Sequence, residues 1–329
     1  MSSGETQALL SVRNLTVEFT TRYGPVRAVD GISFDVNPNE TVGIVGESGC
    51  GKTVTGLSLL GLVPSPPGRI VAGEILLQGR DLVSLPEDEM QALRGQEISM
   101  IFQEPMTALN PVLTVGSQMV DVLRRHKKLT RRQARASAIE MLAKVGIPAP
   151  AKRIDEYPHE MSGGMRQRVM IAMALSCGPK LLIADEPTTA LDVTTQAQVL
   201  EQIVELQDEF HMAVILVTHD LGVVAETCQR AIVMYCGEII ETAGIESLFD
   251  SPRHPYTRGL LDSIPRLREE KRDELPVIPG MVPDLLHLPP GCRFADRCEH
   301  ATDTCREQRP ALRTSQQSAA SVACFHPLD

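Results

Sequence analysis

The most informative part of the chain is residues 41–54, which read TVGIVGESGCGKTV. An apolar strand opens it, a glycine-rich loop follows, and a helical pattern begins at its end. The loop fits the pattern G-x-x-x-x-G-K-S/T at every fixed position, with Gly46, Gly51, Lys52 and Thr53. Its glycines let backbone N–H groups turn inward, and the helix that follows adds the positive end of its dipole. The stretch therefore predicts a site for the phosphates of a nucleotide.

Each part of this loop has an expected role in binding. The ammonium group of Lys52 is placed to reach the β- and γ-phosphates, and the hydroxyl group of Thr53 to bind Mg²⁺. Backbone groups supply the remaining contacts, which we expect from Gly46, Ser48, Gly49, Cys50, Gly51 and Val54. The side chain of Cys50 is therefore tolerated, and we hypothesise that its thiol makes the site sensitive to thiol reagents.

A second motif is an apolar strand that ends in two carboxylates, since residues 181–186 read LLIADE. Asp185 can hold Mg²⁺ through water, and Glu186 can orient and deprotonate the attacking water. Together, the two motifs indicate a P-loop NTPase. They do not distinguish a kinase, a GTPase or a transporter ATPase.

The pattern of strands and helices predicts the fold class. Short buried-type strands alternate with helical patterns, which argues for an α/β fold with a mainly parallel sheet. The N-terminal strands, Leu10–Phe19 and Ala28–Val36, predict an antiparallel side sheet. Prolines become frequent after Ser251, so we expect a boundary between residues 1–250 and an irregular, cysteine-rich tail over residues 251–329.

Composition and charge exclude several classes of protein. The 329 residues carry 32 Lys and Arg against 42 Asp and Glu, a net charge of −10, so the chain is a poor candidate for nucleic-acid binding. The sequence shows no signal-peptide pattern and no run of about 18 apolar residues that would span a bilayer, so the expected compartment is the cytosol. A role at a membrane would require a membrane-embedded partner.

Further elements identify a family. Residues 162–167 read SGGMRQ, which resembles the LSGGQ signature of ABC ATPases, and Gln103 resembles their Q-loop glutamine. His219 resembles the switch histidine, and residues 189–192 (TALD) resemble the D-loop. These elements occur in the order typical of an ABC ATPase. The resemblance implies an ABC ATPase core with a helical signature subdomain over about residues 104–176.

The resemblance also implies roles for these residues. In ABC ATPases the signature, here Ser162, Gly163 and Gly164, binds the γ-phosphate of ATP held by the opposite subunit, so that two subunits close over two nucleotides. Gln103 would contact Mg²⁺ and sense the membrane partner. His219 would hydrogen-bond the γ-phosphate and stabilise charge during phosphoryl transfer.

Three positions are less typical. Tyr23 lies upstream at a position that suits the aromatic residue that stacks on adenine in the family, although a tyrosine on an edge strand is also an ordinary structural feature. The signature begins with Met161 where Leu is usual, and has Met165 where Gln is common. Both are apolar and flexible and the Ser-Gly-Gly turn is retained, so we expect activity to be kept.

The resemblance extends beyond the ATPase motifs. Residues 103–111 (QEPMTALNP) and 253–260 (RHPYTRGL) are similar to the peptide/nickel importer branch, and most similar to dipeptide and oligopeptide permease ATPase subunits. There, an external solute-binding protein delivers peptide to two transmembrane permease subunits, and two different homologous ATPase subunits drive them. This implies a heterodimer with a paired ATPase, located peripherally on the cytoplasmic side of the inner membrane. We expect the coupling contact around residues 104–116.

Four cysteines crowd into the tail: Cys292, Cys298, Cys305 and Cys324. Four thiolates are the ligand set of a 4Fe–4S cluster or of a Zn²⁺ site, and the spacing lacks the close pairs of zinc ribbons. Free thiols or disulfides are a third alternative. The resemblance to peptide permeases favours the 4Fe–4S cluster. A structural role is expected, because the Pro-rich tail has few large apolar residues.

The resemblance leaves alternatives to peptide import. An ABC importer ATPase for another substrate such as nickel shares the ATPase motifs, but the shorter nickel-importing relatives generally lack the cysteine-bearing tail. A soluble ABC ATPase of DNA repair or translation would usually carry two cassettes or a coiled-coil insertion, and this chain shows neither. A sensor module with purely structural ATP binding is disfavoured by the intact Glu186 and His219.

Overall fold

The computed structural model describes residues 7–104, 108–189, 192–264, 277–314 and 320–329. The chain forms two compact units. Unit 1 is made of the described residues of Met1–Val36, Thr41–Val83 and Leu216–Asp329. Unit 2 is made of the described residues of Asn37–Glu40 and Ser84–Ile215.

Strands and helices alternate along most of the described chain. The strands are β1 (Leu10–Thr21), β2 (Gly24–Val36), β3 (Thr41–Val45), β4 (Gly68–Leu77), β5 (Arg80–Asp81), β6 (Ile98–Ile101), β7 (Leu181–Asp185), β8 (Ala213–Thr218), β9 (Arg230–Tyr235), β10 (Glu238–Gly244), β11 (Arg313–Thr314) and β12 (Ser321–Val322). The helices are α1 (Lys52–Leu59), α2 (Glu87–Leu93), α3 (Val115–Lys127), α4 (Arg131–Lys144), α5 (Pro150–Arg153), α6 (Gly163–Leu175), α7 (Val193–Phe210), α8 (Leu221–Thr227), α9 (Ile245–Asp250), α10 (Pro255–Asp262) and α11 (Asp303–Glu307).

The N-terminal sheet of unit 1 is antiparallel, with strand order β2-β1-β4-β5. Its register places Val12 between Phe34 and Ile75, and all three side chains are buried. Buried side chains that face one another across three paired strands give the sheet a covered face, as is common in antiparallel sheets. The predicted antiparallel side sheet is therefore confirmed.

A second sheet in unit 1 contains the strand that precedes the glycine loop. Its order is β11-β12-β10-β9-β3, in which β3 and β9 run parallel and the other pairs run antiparallel. Every residue of β3 is buried, as expected for a strand covered on both faces. The tail takes part in this sheet, because Val322 of β12 is paired with Glu241 of β10.

Unit 2 combines parallel strands with a group of helices. It contains β6 and β7, which run parallel, and residues 213–215 of β8, the strand next to β7. Helices α3, α4 and α6 pack against one another through buried residues such as Leu123, Leu142 and Val169. The α/β class and the helical subdomain are thus confirmed.

Candidate active site

Two glycines are required by the backbone at the ends of the phosphate loop. Gly46 has a φ angle of 152° and Gly51 has one of 103°, conformations that residues with a side chain rarely adopt. A Cβ atom on Gly46 would lie 2.2 Å from the carbonyl oxygen of Met234, and one on Gly51 would lie 2.4 Å from that of Ala28. Gly51 is the N-cap of helix α1, and no side chain caps the helix there. The N-terminus of a helix is a site where a phosphate group can bind backbone N–H groups.

Lys52 turns its side chain into this loop. Its ammonium group donates to the carbonyl oxygens of Gly46 at 2.8 Å and Glu47 at 3.1 Å, and the residue is only 6% exposed. Buried charge of this kind needs polar partners, and the loop carbonyls supply them. The ammonium group is thus held inside the curve of the loop, where a phosphate group would meet it.

The other predicted loop residues differ in their accessibility. Ser48, Gly49 and Thr53 are exposed, and Val54 is half-buried. Cys50 is 1% exposed, and burial raises the pKa of its thiol. Because a buried, protonated thiol is a poor nucleophile, this environment argues against the hypothesised sensitivity to thiol reagents.

Unit 2 brings the predicted general base together with the Q-loop glutamine. Asp185 ends β7 and is 2% exposed, and Glu186 follows it with a φ angle of 45°. The Nε2 group of Gln103 donates to Oε2 of Glu186 at 2.9 Å, and the hydroxyl group of Thr189 donates to the same oxygen at 2.9 Å. Both donors are neutral, so they orient the carboxylate without neutralising its charge.

The signature segment forms the start of a helix, as the sequence predicts. Ser162 is the N-cap of α6, and its Oγ accepts the N–H of Met165 at 3.3 Å. Ser162 and Gly163 are exposed, and a Cβ atom on Gly163 would meet no atom within 4 Å. Gln167 of the same helix is buried and donates to the carbonyl oxygen of Pro187, which links the signature helix to the chain after Glu186.

Two predicted residues lie at exposed positions of unit 1. His219 follows β8 and precedes Asp220, whose side chain caps α8 by accepting the N–H of Gly222 at 2.8 Å. Tyr23 lies in the turn between β1 and β2 and is 71% exposed, and the Arg22 guanidinium group lies 4.6 Å from its ring centroid. An exposed ring leaves aromatic surface on which another planar group can stack.

The predicted site residues are distributed over both units. The phosphate loop, Tyr23 and His219 belong to unit 1, whereas Gln103, the signature, Asp185 and Glu186 belong to unit 2. Within the motifs, residues 105–107 of the segment after Gln103 and residues 190–191 of the D-loop lie outside the described residues.

Sequence reasoning missed several residues that contact the phosphate loop from the C-terminal part of unit 1. Arg297 donates to the carboxylate of Glu47, and the hydroxyl group of Tyr256 accepts the N–H of Glu47. Tyr256 lies in the RHPYTRGL segment. That segment resembles the peptide/nickel importer branch, but the resemblance predicted no role for Tyr256. Arg297 carried no signal in the sequence.

The four tail cysteines lie in unit 1, near one another. Cys305 is buried, the other three are half-buried, and the N–H of Cys292 donates to the carbonyl oxygen of Cys305 at 2.7 Å. Burial first, and then the thiols of Cys324, Cys305 and Cys298, raise the pKa of Cys292 to about 11. In the described ranges, however, no three or more His, Cys, Asp or Glu side chains form a group that could hold a metal ion as they stand.

Comparison with known proteins identifies the family. The family model "ABC transporter" matches residues 29–189, and the model "Oligopeptide/dipeptide transporter, C-terminal region" matches residues 240–305. The oligopeptide transport ATP-binding protein AppD of Bacillus subtilis is 54% identical over 317 residues, which cover 96% of each chain. The chain belongs to the ABC transporter family. The dipeptide transport ATP-binding protein DppD of Escherichia coli, another of these ABC transporter proteins, is 49% identical over 322 residues, or 98% of each chain.

Solved structures agree with this assignment. A dimeric ATP-binding cassette in a post-hydrolysis state, bound to ADP and Pi, shares 26% sequence identity with this ABC transporter chain at a TM-score of 0.65. The match covers 72% of this chain and 98% of the cassette. The chain is an ABC-type ATPase, and it is longer than the cassette, since 28% of it lies outside the match. In the described part of the chain, no helix has both the length and the apolar character needed to cross a bilayer.

Proposed function

We propose that this ABC ATPase hydrolyses ATP to power the import of di- and oligopeptides across the cytoplasmic membrane. The observation that carries the proposal is the presence of both family models in one chain, together with its near-complete alignment to peptide transport ATP-binding proteins. The C-terminal model is decisive for the substrate class, because the ATPase motifs alone are common to ABC transporters of every cargo.

In this proposal the phosphate loop binds the phosphates of ATP. Lys52 leaves its loop carbonyls to bind the β- and γ-phosphates. Backbone groups that bind phosphate oxygens are those of Gly46, Ser48, Gly49, Cys50, Gly51 and Val54. Thr53, Gln103 and Asp185 hold Mg²⁺, directly or through water. Tyr23 stacks on adenine, a role that its exposed ring supports.

Hydrolysis uses the carboxylate that Gln103 and Thr189 hold in place. Glu186 orients the attacking water and accepts its proton, while His219 binds the γ-phosphate and stabilises the charge that develops on it. The exposed signature, Ser162–Gly164, binds the γ-phosphate of ATP on a paired subunit. The open space around Gly163 supports that role, since a phosphate group needs close access to the backbone.

The proposed partners are two transmembrane permease subunits, a homologous ATPase that pairs with this chain as a heterodimer, and indirectly an external solute-binding protein. Two apolar residues in the segment that we assign to coupling support a permease contact, because Val112 is 75% exposed and Leu113 is 39% exposed. The location that follows is peripheral, on the cytoplasmic side of the inner membrane. We assign residues 1–250 to the nucleotide-binding domain, with a helical subdomain over about residues 104–176, and residues 251–329 to the importer-specific extension.

For the tail we propose a 4Fe–4S cluster, with Zn²⁺ as the alternative, held by Cys292, Cys298, Cys305 and Cys324. The donor chemistry fits, since the thiols of Cys298, Cys305 and Cys324 all lie close enough to Cys292 to raise its pKa. Burial raises the pKa values of Cys292, Cys298 and Cys324, and the backbone two residues after each cysteine acts in the opposite direction, towards the thiolate that a metal requires. The side chains would turn toward one another on binding. Once bound, the cluster would link distant parts of a tail that has a small core.

The test is reconstitution of this chain with its permease and ATPase partners in proteoliposomes. We expect ATP-dependent uptake of labelled di- or oligopeptides, and ATP hydrolysis that increases when the solute-binding protein delivers peptide. Uptake of nickel without peptide would overturn the substrate assignment and leave the ATPase assignment in place. ATP hydrolysis by the chain with no stimulation by any permease would favour a soluble ABC ATPase instead.

A further inference from the structure

The tail in unit 1 contacts the phosphate loop through Arg297. This arginine is 7% exposed, and its guanidinium group donates to both carboxylate oxygens of Glu47 at 2.7 and 3.0 Å. Glu47 directly follows Gly46 in the loop. A bidentate pair of this kind fixes orientation as well as distance, because the planar guanidinium fork matches the geometry of a carboxylate.

The guanidinium group is itself held in one position. Its Nε donates to the carbonyl oxygen of Pro279 at 2.9 Å, and its Nη1 donates to the hydroxyl group of Tyr235 at 3.2 Å. The centroid of the Phe294 ring lies 5.9 Å from the guanidinium carbon. Because its partners come from three segments of unit 1, Arg297 cannot follow Glu47 freely if the loop moves.

Glu47 has each of its polar groups engaged. Its N–H donates to the hydroxyl group of Tyr256 at 2.8 Å, its carbonyl oxygen accepts from Lys52 at 3.1 Å, and its carboxylate binds Arg297. Tyr256 is fully buried, and its ring lies 4.7 Å from that of Tyr235. Glu47, the second residue of the loop, is therefore fixed by two buried residues outside the loop, Tyr256 and Arg297.

The other end of the phosphate loop is bonded to the turn between β9 and β10, and the tail contacts that turn. The N–H of Gly237 donates to the carbonyl oxygen of Cys50 at 2.9 Å, and Arg293 donates to the carbonyl oxygen of the preceding Cys236. Arg293 also forms an ion pair with Glu238 at 3.3 Å. The short tail segment that contains Arg293 and Arg297 thus contacts the loop directly at Glu47, and it supports the turn that binds the loop at Cys50.

We propose that Arg297 is a positioning residue for nucleotide binding, which holds the phosphate loop in its binding conformation through Glu47. The inference rests on the proposed role of this loop in ATP binding. Its physical basis is preorganisation: a loop whose N–H groups already converge binds phosphate without the entropy cost of ordering. The importer-specific tail is then part of the framework of the ATP site.

The experiment measures the Kd of Mg²⁺-ATP for the full-length chain by equilibrium binding. We expect Arg297→Ala and Glu47→Ala each to raise the Kd about tenfold, the size typical of a lost charged hydrogen bond. The double variant should bind no more weakly than either single variant, because both substitutions remove the same contact. Arg306→Ala is the matched control, since Arg306 lies in the same tail and pairs with the exposed Asp296 at 3.3 Å.

Arg297→Lys separates positioning from charge. It keeps the cation and loses the bidentate geometry, so it should raise the Kd by nearly as much as Arg297→Ala. If Arg297→Ala does not fold, Arg297→Lys and Glu47→Gln give the same double-mutant cycle, because they alter less of each side chain. A Kd that stays unchanged in these folded variants, or additive effects in the double variant, would overturn the proposal.

Lys52→Ala distinguishes this outcome from failure of the proposed function. If Lys52→Ala abolishes ATP binding and Arg297→Ala does not weaken it, the loop binds ATP and the positioning role is wrong. If Lys52→Ala binds ATP as tightly as the parent chain, the proposed role of the loop fails, and the positioning inference fails with it.

Discussion

Glu186 combines an unusual backbone conformation with a held side chain. Its φ angle of 45° lies in the left-handed region, which costs a residue with a side chain about 1–2 kcal/mol. Two hydrogen bonds to one carboxylate oxygen, from Gln103 and Thr189, come with that conformation. Backbone strain of this kind clusters at functional sites. A general base also needs a fixed position, and the two neutral donors hold the carboxylate in one orientation.

Replacement of this carboxylate by an amide tests the assignment directly. In the reconstituted complex, we expect Glu186→Gln to bind ATP as the parent does and to lower kcat by at least about a hundredfold, the usual contribution of a general base. Phosphate release and nucleotide binding measured on the same preparation give both values. Gln103→Ala is a useful companion, because it removes one donor to Glu186 and should lower kcat less than Glu186→Gln. Normal turnover by Glu186→Gln would remove Glu186 from the mechanism.

At the scale of elements, the sequence predicts what is local and misses what is distant. The strand, loop and helix over residues 41–59 follow one another directly, so glycine spacing and apolar pattern suffice to predict them. The same holds for the strand that ends at Asp185 and for the helix that begins after Ser162. The contact between Glu47 and Arg297 joins residues 250 positions apart, and no periodicity records such a pair.

In the helical subdomain, the sequence predicts helical structure but not the break between two helices. The sequence has a helical pattern from Thr114 to Val145, but the structure divides it into α3 and α4. Lys128 ends α3 with a φ angle of 54°, and Thr130 caps α4 by accepting the N–H of Gln133 at 3.4 Å. A lysine in the left-handed conformation has no distinctive sequence signal, whereas Thr130 and Gln133 form a capping box that does.

The close contact between Gly46 and Met234 provides a prediction about the stability of the phosphate loop. We expect Gly46→Ala to lower the free energy of unfolding by about 2–3 kcal/mol, because its Cβ would lie 2.2 Å from the carbonyl oxygen of Met234. Gly49→Ala is the matched control: its φ angle of 80° is also positive, but a Cβ there meets nothing within 4 Å. Urea unfolding of both variants should show the larger loss for Gly46→Ala. Equal losses would mean that the close approach to Met234 does not shape the loop.

The signature helix carries a prediction about the paired subunit. Ser162→Ala should lower hydrolysis at the nucleotide site of the partner ATPase and leave the site of this chain largely unchanged. Each site is assayed in the assembled complex after the general base of the other site is replaced. Loss of the N-cap alone costs about 1 kcal/mol of helix stability, so Thr130→Ala, which removes a comparable cap from α4, is the control. A loss confined to this chain's own site would contradict the assignment.

At the scale of the whole molecule, the tail is tied to the rest of unit 1 rather than folded around a core of its own. β12 pairs with β10, and the N–H of Ala323 donates to the carbonyl oxygen of Ile240 at 2.8 Å, directly before Cys324. Arg293 and Arg297, each next to a cysteine, bind Asp30 and Glu47. Anchors outside the tail therefore set the positions of at least three cysteines, Cys292, Cys298 and Cys324.

Such anchoring determines what the removal of one cysteine should do. Protein purified without air should contain about four irons and four sulfides per chain, and Cys298→Ser should lose them. Because the anchors persist, we expect the variant to stay folded and to bind ATP, with a Kd raised no more than in Arg297→Ala. Cys177→Ser, a buried cysteine of unit 2, is the control and should keep the iron. Zinc in place of iron, or no metal in the parent protein, would contradict the cluster. Unfolding of Cys298→Ser would instead show that the metal, and not the ion pairs and strand pairing with unit 1, holds the tail against the phosphate loop.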